Sequence, residues 1–225
     1  LIVLSDGESL INPGEPNKKF IQELAGLLVK IHEKTPVAVV TGGGVPSRKC
    51  AKAVKELGGS QFLSDEAAVL STRQNALLLI AALGEHAWPS VPTNFDEAAC
   101  ACCHRILVMG GTIPGITTDT DCALLAEMTR AKRIVNASNV DGIYTADPKK
   151  DRSAKKLNKL SFEQMLELAS KSDRRVAGEN FVFDVIACKI IARSRIETHF
   201  VGQDIGDIES AILGKKHSGT VVGDD

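Results

Sequence analysis

The chain has 225 residues, 44% hydrophobic and 24% charged, enough for one sizeable α/β domain with a large core or for two small ones. With 27 basic side chains against 28 acidic ones the net charge is −1, and aromatic residues make up 4%, so neither nucleic acid nor an anionic membrane is an expected partner. The longest apolar run, residues 76–83, is far short of the ~20 residues that span a bilayer, and no charged-then-apolar leader precedes the first strand.

In chain order, residues 2–4 read as an apolar strand ended by Ser5-Asp6-Gly7-Glu8-Ser9, and 12–17 as a turn-rich loop with two prolines. Phe20, Ile21, Leu24, Leu27, Leu28 and Ile31 recur at helical spacing until Pro36 stops the helix. Residues 37–40 form a buried strand running into Thr41-Gly42-Gly43-Gly44. Pro46 suits the first turn of a helix reaching Leu57, which Gly58-Gly59 ends. A helical run follows from Asp65 to about Leu83, with Asp65 or Ser64 as its cap, then a short strand near Val91 and a cysteine-bearing helix from Asp96. Next come a strand at 106–109, a helix at 119–131, a strand at 133–137 and a long polar loop at 139–152. Helices at 162–168 and 182–192, a strand at 198–201, a helix at 205–213 and a strand at 219–222 complete the chain. Strands alternating with long helices imply a mainly parallel sheet covered on both faces. No linker, repeat or low-complexity tract divides residues 1–225, so they read as a single domain.

Six cysteines raise the question of a metal. Cys50, Cys122 and Cys188 are scattered, whereas Cys100, Cys102, Cys103 and His104 are grouped, and on a helix Cys100, Cys103 and His104 would share a face. A structural tetrahedral site recruits a second ligand pair, and none is evident. Free thiols in a reducing cytoplasm are expected, and no metal ligand is assigned.

The stretch 106–121, ILVMGGTIPGITTDTD, is a strand that breaks at Gly110-Gly111 and passes through Thr112, Thr117 and Thr118 to two acids and a helix. Such a unit brings N–H and O–H groups to the carboxyl edge of a sheet. Similar units at 37–55 and 134–151 point to one phosphate-ligand site built from several loops, although turn chemistry explains any single one. Gly42-Gly43-Gly44 lets backbone approach a phosphate at a helix N-terminus, with Arg48 one turn on. It matches neither the Walker pattern nor the dinucleotide fingerprint, and a structural turn accounts for it about as well. Asp65 suits ribose hydroxyls or a helix cap, and Thr117-Thr118-Asp119 likewise suits a ligand or a cap. Residues 139–148, NVDGIYTADP, join an aromatic ring, two acids and turn residues, suited to stacking on a base and contacting Mg2+-bound phosphates.

VTGGG, the helix carrying Asp65, Thr72-Arg73 and Asn75-Ala76, VMGGTIPGITTD, NVDGIYTADPKKD and GTVV resemble the amino acid kinase family, specifically its archaeal-type UMP kinases. The resemblance runs in the same order, almost ungapped, from the first strand to Val222. It implies a three-layer αβα sandwich with a mainly parallel central sheet and a homohexamer built as a trimer of dimers. It also implies Mg2+-dependent transfer of the ATP γ-phosphoryl group to UMP. By position it implies Ser9, Gly44 and Arg48 at the ATP phosphates, and Ser138, Asn139, Tyr144 and Asp147 at the adenosine. Gly43 and Asp65 would contact UMP, with Ile113, Pro114, Gly115, Ile116, Thr117, Thr118 and Asp119 wrapping its phosphate and base. Such a transfer needs alignment and charge neutralisation rather than a side-chain base, and Asp119 is the residue expected to orient groups around the acceptor phosphate.

The pattern is broken at several places. Gly7-Glu8-Ser9, preceded by Asp6, stands where relatives have Gly-Gly-Ser; Val45 replaces a lysine, Ala68 a glycine and Ile116 a histidine. Val45, Ala68 and Gln74-Asn75 are closer to the molybdenum storage proteins of the same fold, which bind ATP and hold molybdate or tungstate clusters. An oxyanion store or an inactive nucleotide-binding paralogue is therefore the alternative.

Overall fold

In chain order the elements are β1 (Ile2–Asp6), α1 (Lys18–His32), β2 (Val37–Thr41), α2 (Gly44–Glu56), α3 (Gln61–Leu83), a 3-10 turn (Gly84–His86), α4 (Phe95–Ala101), β3 (Leu107–Met109), α5 (Thr118–Met128) and β4 (Arg133–Ala137). They continue with β5 (Ile143–Tyr144), β6 (Lys156–Leu157), β7 (Lys159–Leu160), α6 (Phe162–Asp173), α7 (Val185–Ser194), β8 (Glu197–Val201), α8 (Ile205–Leu213) and β9 (Thr220–Val222). The computed structural model describes residues 1–7, 10–102, 105–146, 148, 151, 153–173 and 183–224, with backbone alone at 172 and 173. Glu8, Ser9, Cys103, His104 and Asp147, singled out in the sequence, lie outside the described residues, as does the expected helix start at 182.

Seven strands form one sheet in the order β3-β2-β1-β4-β8-β9-β7. The pairs β1–β2, β1–β4, β2–β3 and β4–β8 are parallel; β9 runs antiparallel to β8 and parallel to β7. Every residue of β1, β2 and β4 is buried, the continuous apolar burial of a parallel sheet with both faces covered. Ile2 and Leu4 point to one face, where they pack with α1, α3 and α8; Val3 points to the other, with α4, α5, α6 and α7. Helix α2 packs outside α3. The result is the expected three-layer sandwich.

Local chemistry moved several boundaries. Helix α3 begins a turn before Asp65, because Ser60, following Gly58-Gly59, accepts from Leu63 N at 3.2 Å and is its cap. Asn94 caps α4 in the same way. No strand forms at Val91; Ala87 makes a lone bridge to Ile106 instead. The polar loop expected at 139–152 contains β5, which pairs antiparallel with β6 just beyond it, and β6 and β7 were unforeseen; two-residue strands are too short to show alternation. By length and composition alone, Gln61–His86 is apolar enough to cross a membrane, although no uninterrupted apolar run is that long. In the fold it lays Val69, Ala76, Leu79 and Leu83 into the core.

Candidate functional site

Chain order places β2 and β3 successively on one side of β1, and β4 then falls on the other. The carboxyl ends of β1 and β4 thus flank a topological switch point, where open α/β sheets bind ligands. Three polar side chains are buried there, Ser5, Asp6 and Asn136. Ser5 and Asn136 are register partners on the α5 face. Ser5 Oγ donates to Asp119 Oδ1 at 3.2 Å, tying the first turn of α5 to the switch strand. Asn136 Oδ1 has no hydrogen-bond partner among the described residues. Asp6 faces the opposite layer, its Oδ1 is likewise unpartnered, and burial pushes its carboxyl well above the ordinary range.

The glycine loop lies at the end of β2. Gly42 N donates to Asp6 O at 3.0 Å, and Asn75 Nδ2 on α3 donates to Gly42 O at 2.8 Å while Asn75 Oδ1 accepts from Asn12 at 3.1 Å. Gly43 is the N-cap of α2 and Gly44, with φ +64, its first residue. A Cβ on Gly43 would lie 2.3 Å from Ser47 Cβ, so the chain is drawn in tightly where a ligand would meet the helix N-terminus. Arg48 is exposed on α2. Asp65, half-buried, accepts from Gln61 Nε2 at 2.7 Å, which makes it a side-chain partner within α3 rather than its cap.

The loop from Gly110 to Thr117 is pinned at both ends. At its start Arg73 donates from Nε to Gly111 O at 3.0 Å and from Nη2 to Thr112 O at 2.8 Å, while Thr72 Oγ1 accepts from Gly111 N at 2.7 Å. From the other side Asp121 accepts from Thr112 N at 3.2 Å and from Thr112 Oγ1 at 2.5 Å. Burial raises the Asp121 carboxyl to about 6, although the Thr112 hydrogen bonds and Arg73 oppose the rise. At its end Thr117 caps α5, its hydroxyl accepting from Thr120 N at 3.2 Å. That hydroxyl also donates to Asp184, so of the two readings open for Thr117 the helix cap is formed. Thr118, half-buried as the first residue of α5, has a hydroxyl without a partner among the described residues. Between the pins Ile113 and Gly115 are exposed, and Pro114 and Ile116 half-exposed.

A family model described as the amino acid kinase family matches residues 1–202. The chain belongs to the amino acid kinase family. It is 44% identical over 223 residues to the uridylate kinase of Thermococcus kodakarensis, covering 98% of both chains. The crystal structure of uridylate kinase from Archaeoglobus fulgidus superposes with a TM-score of 0.87 at 41% identity, covering 99% of each chain. The UMP kinase structure from Bacillus anthracis, at 23% identity and a TM-score of 0.80, shares the fold.

In this family member the stretch expected to hold adenosine is a hairpin outside the main sheet. Tyr144 on β5 donates its phenol to Asp141 Oδ1 at 2.7 Å, and Lys156 Nζ on β6 donates to Asp141 Oδ2 at 2.6 Å and to Ser218 O at 3.0 Å. Burial would raise the Asp141 carboxyl, but Lys156 and Tyr144 together hold it below the ordinary value. Thr220 Oγ1 on β9 accepts from Ile143 N at 2.8 Å and donates to Leu157 O at 2.5 Å, so one hydroxyl binds both hairpin strands. Ser138 turns its hydroxyl back on its own loop, at 3.0 Å from Val140 O, which leaves backbone and the exposed Asn139 to meet a ligand.

The structure thus gathers the glycine loop, Thr118 and Asp119 at the switch point. Sequence reading gave no role to Ser5, Arg73, Asn136 or Asp184. Polar residues ending an apolar strand were the available signal for Ser5 and Asn136. For Asp184 it was an acid directly before a helical run.

Proposed function

We propose that this protein transfers the γ-phosphoryl group of ATP to UMP, giving UDP and ADP. The observation that carries the reading is the end-to-end similarity to uridylate kinases, 44% identity over 98% of both chains. A phosphate oxygen of UMP attacks the γ-phosphorus, and the bond from that phosphorus to the β–γ bridging oxygen breaks. The acceptor is already an anion, so no side-chain base is required. Gly44 and the α2 N-terminus suit the donor phosphates, Gly43 suits UMP, and the Thr118 hydroxyl with the N-terminus of α5 suits the acceptor phosphate. Asp119, fixed by Ser5, orients the groups between them.

Mg2+ belongs to the same reading. It prefers oxygen ligands, usually one or two carboxylates with substrate phosphates. The Asp119 carboxylate and the buried, unpartnered Asn136 Oδ1 on the α5 face form a donor set of that kind and would hold it. When bound, it neutralises charge on the transferring phosphates.

We further propose a cytoplasmic homohexamer assembled from dimers. Leu63, Leu70 and Leu77 on α3 are 52%, 51% and 54% exposed at seven-residue spacing, a stripe that a second copy of the helix would cover. A coupled assay with ATP, Mg2+ and a panel of nucleoside monophosphates tests the reading. UMP-dependent ADP release supports it. Tight ATP binding without turnover, with molybdenum or tungsten in the natively purified protein, overturns it.

A further inference from the structure

We propose that Asp184 is a positioning residue for the acceptor side of the site, holding the start of α5 so that the Thr118 hydroxyl and the N-terminus of that helix face the acceptor phosphate. The inference rests on the UMP-kinase reading above. Asp184 lies 67 residues from Thr117 along the chain, yet its Oδ2 accepts the Thr117 hydroxyl. Thr120 Oγ1 donates to the same carboxylate, at 3.0 Å from Oδ2 and 3.1 Å from Oδ1.

Two features make this more than a helix cap. Capping α7 requires one oxygen, and Oδ1 supplies it by accepting from Ala187 N at 2.8 Å. Oδ2 is surplus to α7 and is turned onto the neighbouring helix. Secondly, Thr117 has both of its hydroxyl functions occupied, accepting from Thr120 N and donating to Asp184. Thr117 therefore cannot rotate toward a ligand and serves as a fixed joint. The next residue, Thr118, is then presented with its hydroxyl unpartnered among the described residues. The start of the acceptor loop is pinned by Arg73 and Asp121, and Asp184 pins its end. With the end released, the loop would still close on Thr112, but the α5 N-terminus would lose its orientation toward the cleft.

The test uses Asp184→Ser, Thr120→Val and Thr120→Ser. Serine is a good N-cap for α7 but too short to reach Thr117. UMP affinity is measured by calorimetry without ATP, alongside KM for UMP and for ATP, kcat and Tm. In Asp184→Ser the Kd and KM for UMP are expected to rise about tenfold, as for loss of a charge-assisted hydrogen bond, with KM for ATP within about twofold of the wild type. Thr120→Val should show about a threefold rise, and Thr120→Ser, which keeps the hydroxyl, wild-type values. Equal changes in both KM values, or a fall in Tm with UMP affinity unmoved, would reduce Asp184 to a structural cap and overturn the inference. If the wild type binds UMP without releasing ADP, the kinase reading fails and the calorimetric comparison still decides Asp184. If the wild type does not bind UMP, both fall.

Discussion

Ser5 Oγ lies 3.2 Å from Asp119 Oδ1 across 114 residues of chain, and this hydrogen bond joins the last turn-side residues of the switch strand to the first turn of α5. Asp119 is therefore held by a fully buried strand of the sheet rather than by a loop. Asp119→Asn is expected to lower kcat with UMP by about 100-fold, the scale on which a preorganised polar group at a transition state is lost. Ser5→Ala should cost about fivefold in kcat, the worth of one orienting hydrogen bond. Steady-state kinetics with both substrates varied decides it; full turnover in Asp119→Asn would remove the residue from the mechanism.

Crowding at the glycine loop gives a second expectation. A methyl on Gly43 would meet Ser47 Cβ at 2.3 Å and Oγ at 2.5 Å. Gly43→Ala should lose about 1–3 kcal/mol of stability through overpacking and weaken UMP binding. Adding Ser47→Gly removes the obstructing side chain and should recover part of the Tm. An unimproved double variant would place the strain elsewhere.

The Asp121 carboxyl sets a pH dependence. Burial is the largest cause of its rise from 3.8 to about 6 in the folded protein, so the stability it contributes is fully present below 3.8 and is lost as pH rises through about 6. Ionising it costs about 3 kcal/mol more in the folded protein than in the unfolded chain. Asp121→Asn should accordingly gain on the wild type between pH 4 and pH 7 in urea unfolding, the two being closest at the acid end. A gap that widens as pH falls would reverse the sign and contradict the assignment.

The α3 stripe predicts assembly. Leu70→Glu and Leu77→Glu alter side chains that are half exposed within one chain, so the monomer fold should persist in circular dichroism. Light scattering should then show a smaller particle than the wild type. An unchanged mass would assign the stripe no interface role.

How far the sequence disclosed this architecture depends on the range of the interactions involved. Helix α8 and strand β4 appear where the apolar pattern put them, because periodicity and burial agree over their whole length. The cap of α3 was missed because Asp65 and Ser60 are both good capping residues, and Gly58-Gly59 sets the start only once α2 is seen to end there. At the site, Gly43, Gly44, Thr118 and Asp119 were legible as strand-to-helix loops. Thr117 forms the cap that was one of its two readings, and its pairing with Asp184 could not be read because it depends on α5 and α7 packing side by side. Ser5 and Arg73 were silent for the same reason: their partners are 114 and 38 residues away.

Thr220 lies beyond the 202 residues that match the family model, yet its hydroxyl joins Ile143 to Leu157. The hairpin proposed to meet adenosine is thus fastened by a residue outside the region that marks the chain as a kinase. A truncation after Val201 would keep the residues up to 201 that match the family model but remove Thr220, letting that hairpin swing. The fit of the hairpin can therefore be altered from a strand outside the matched region, without touching the hairpin itself.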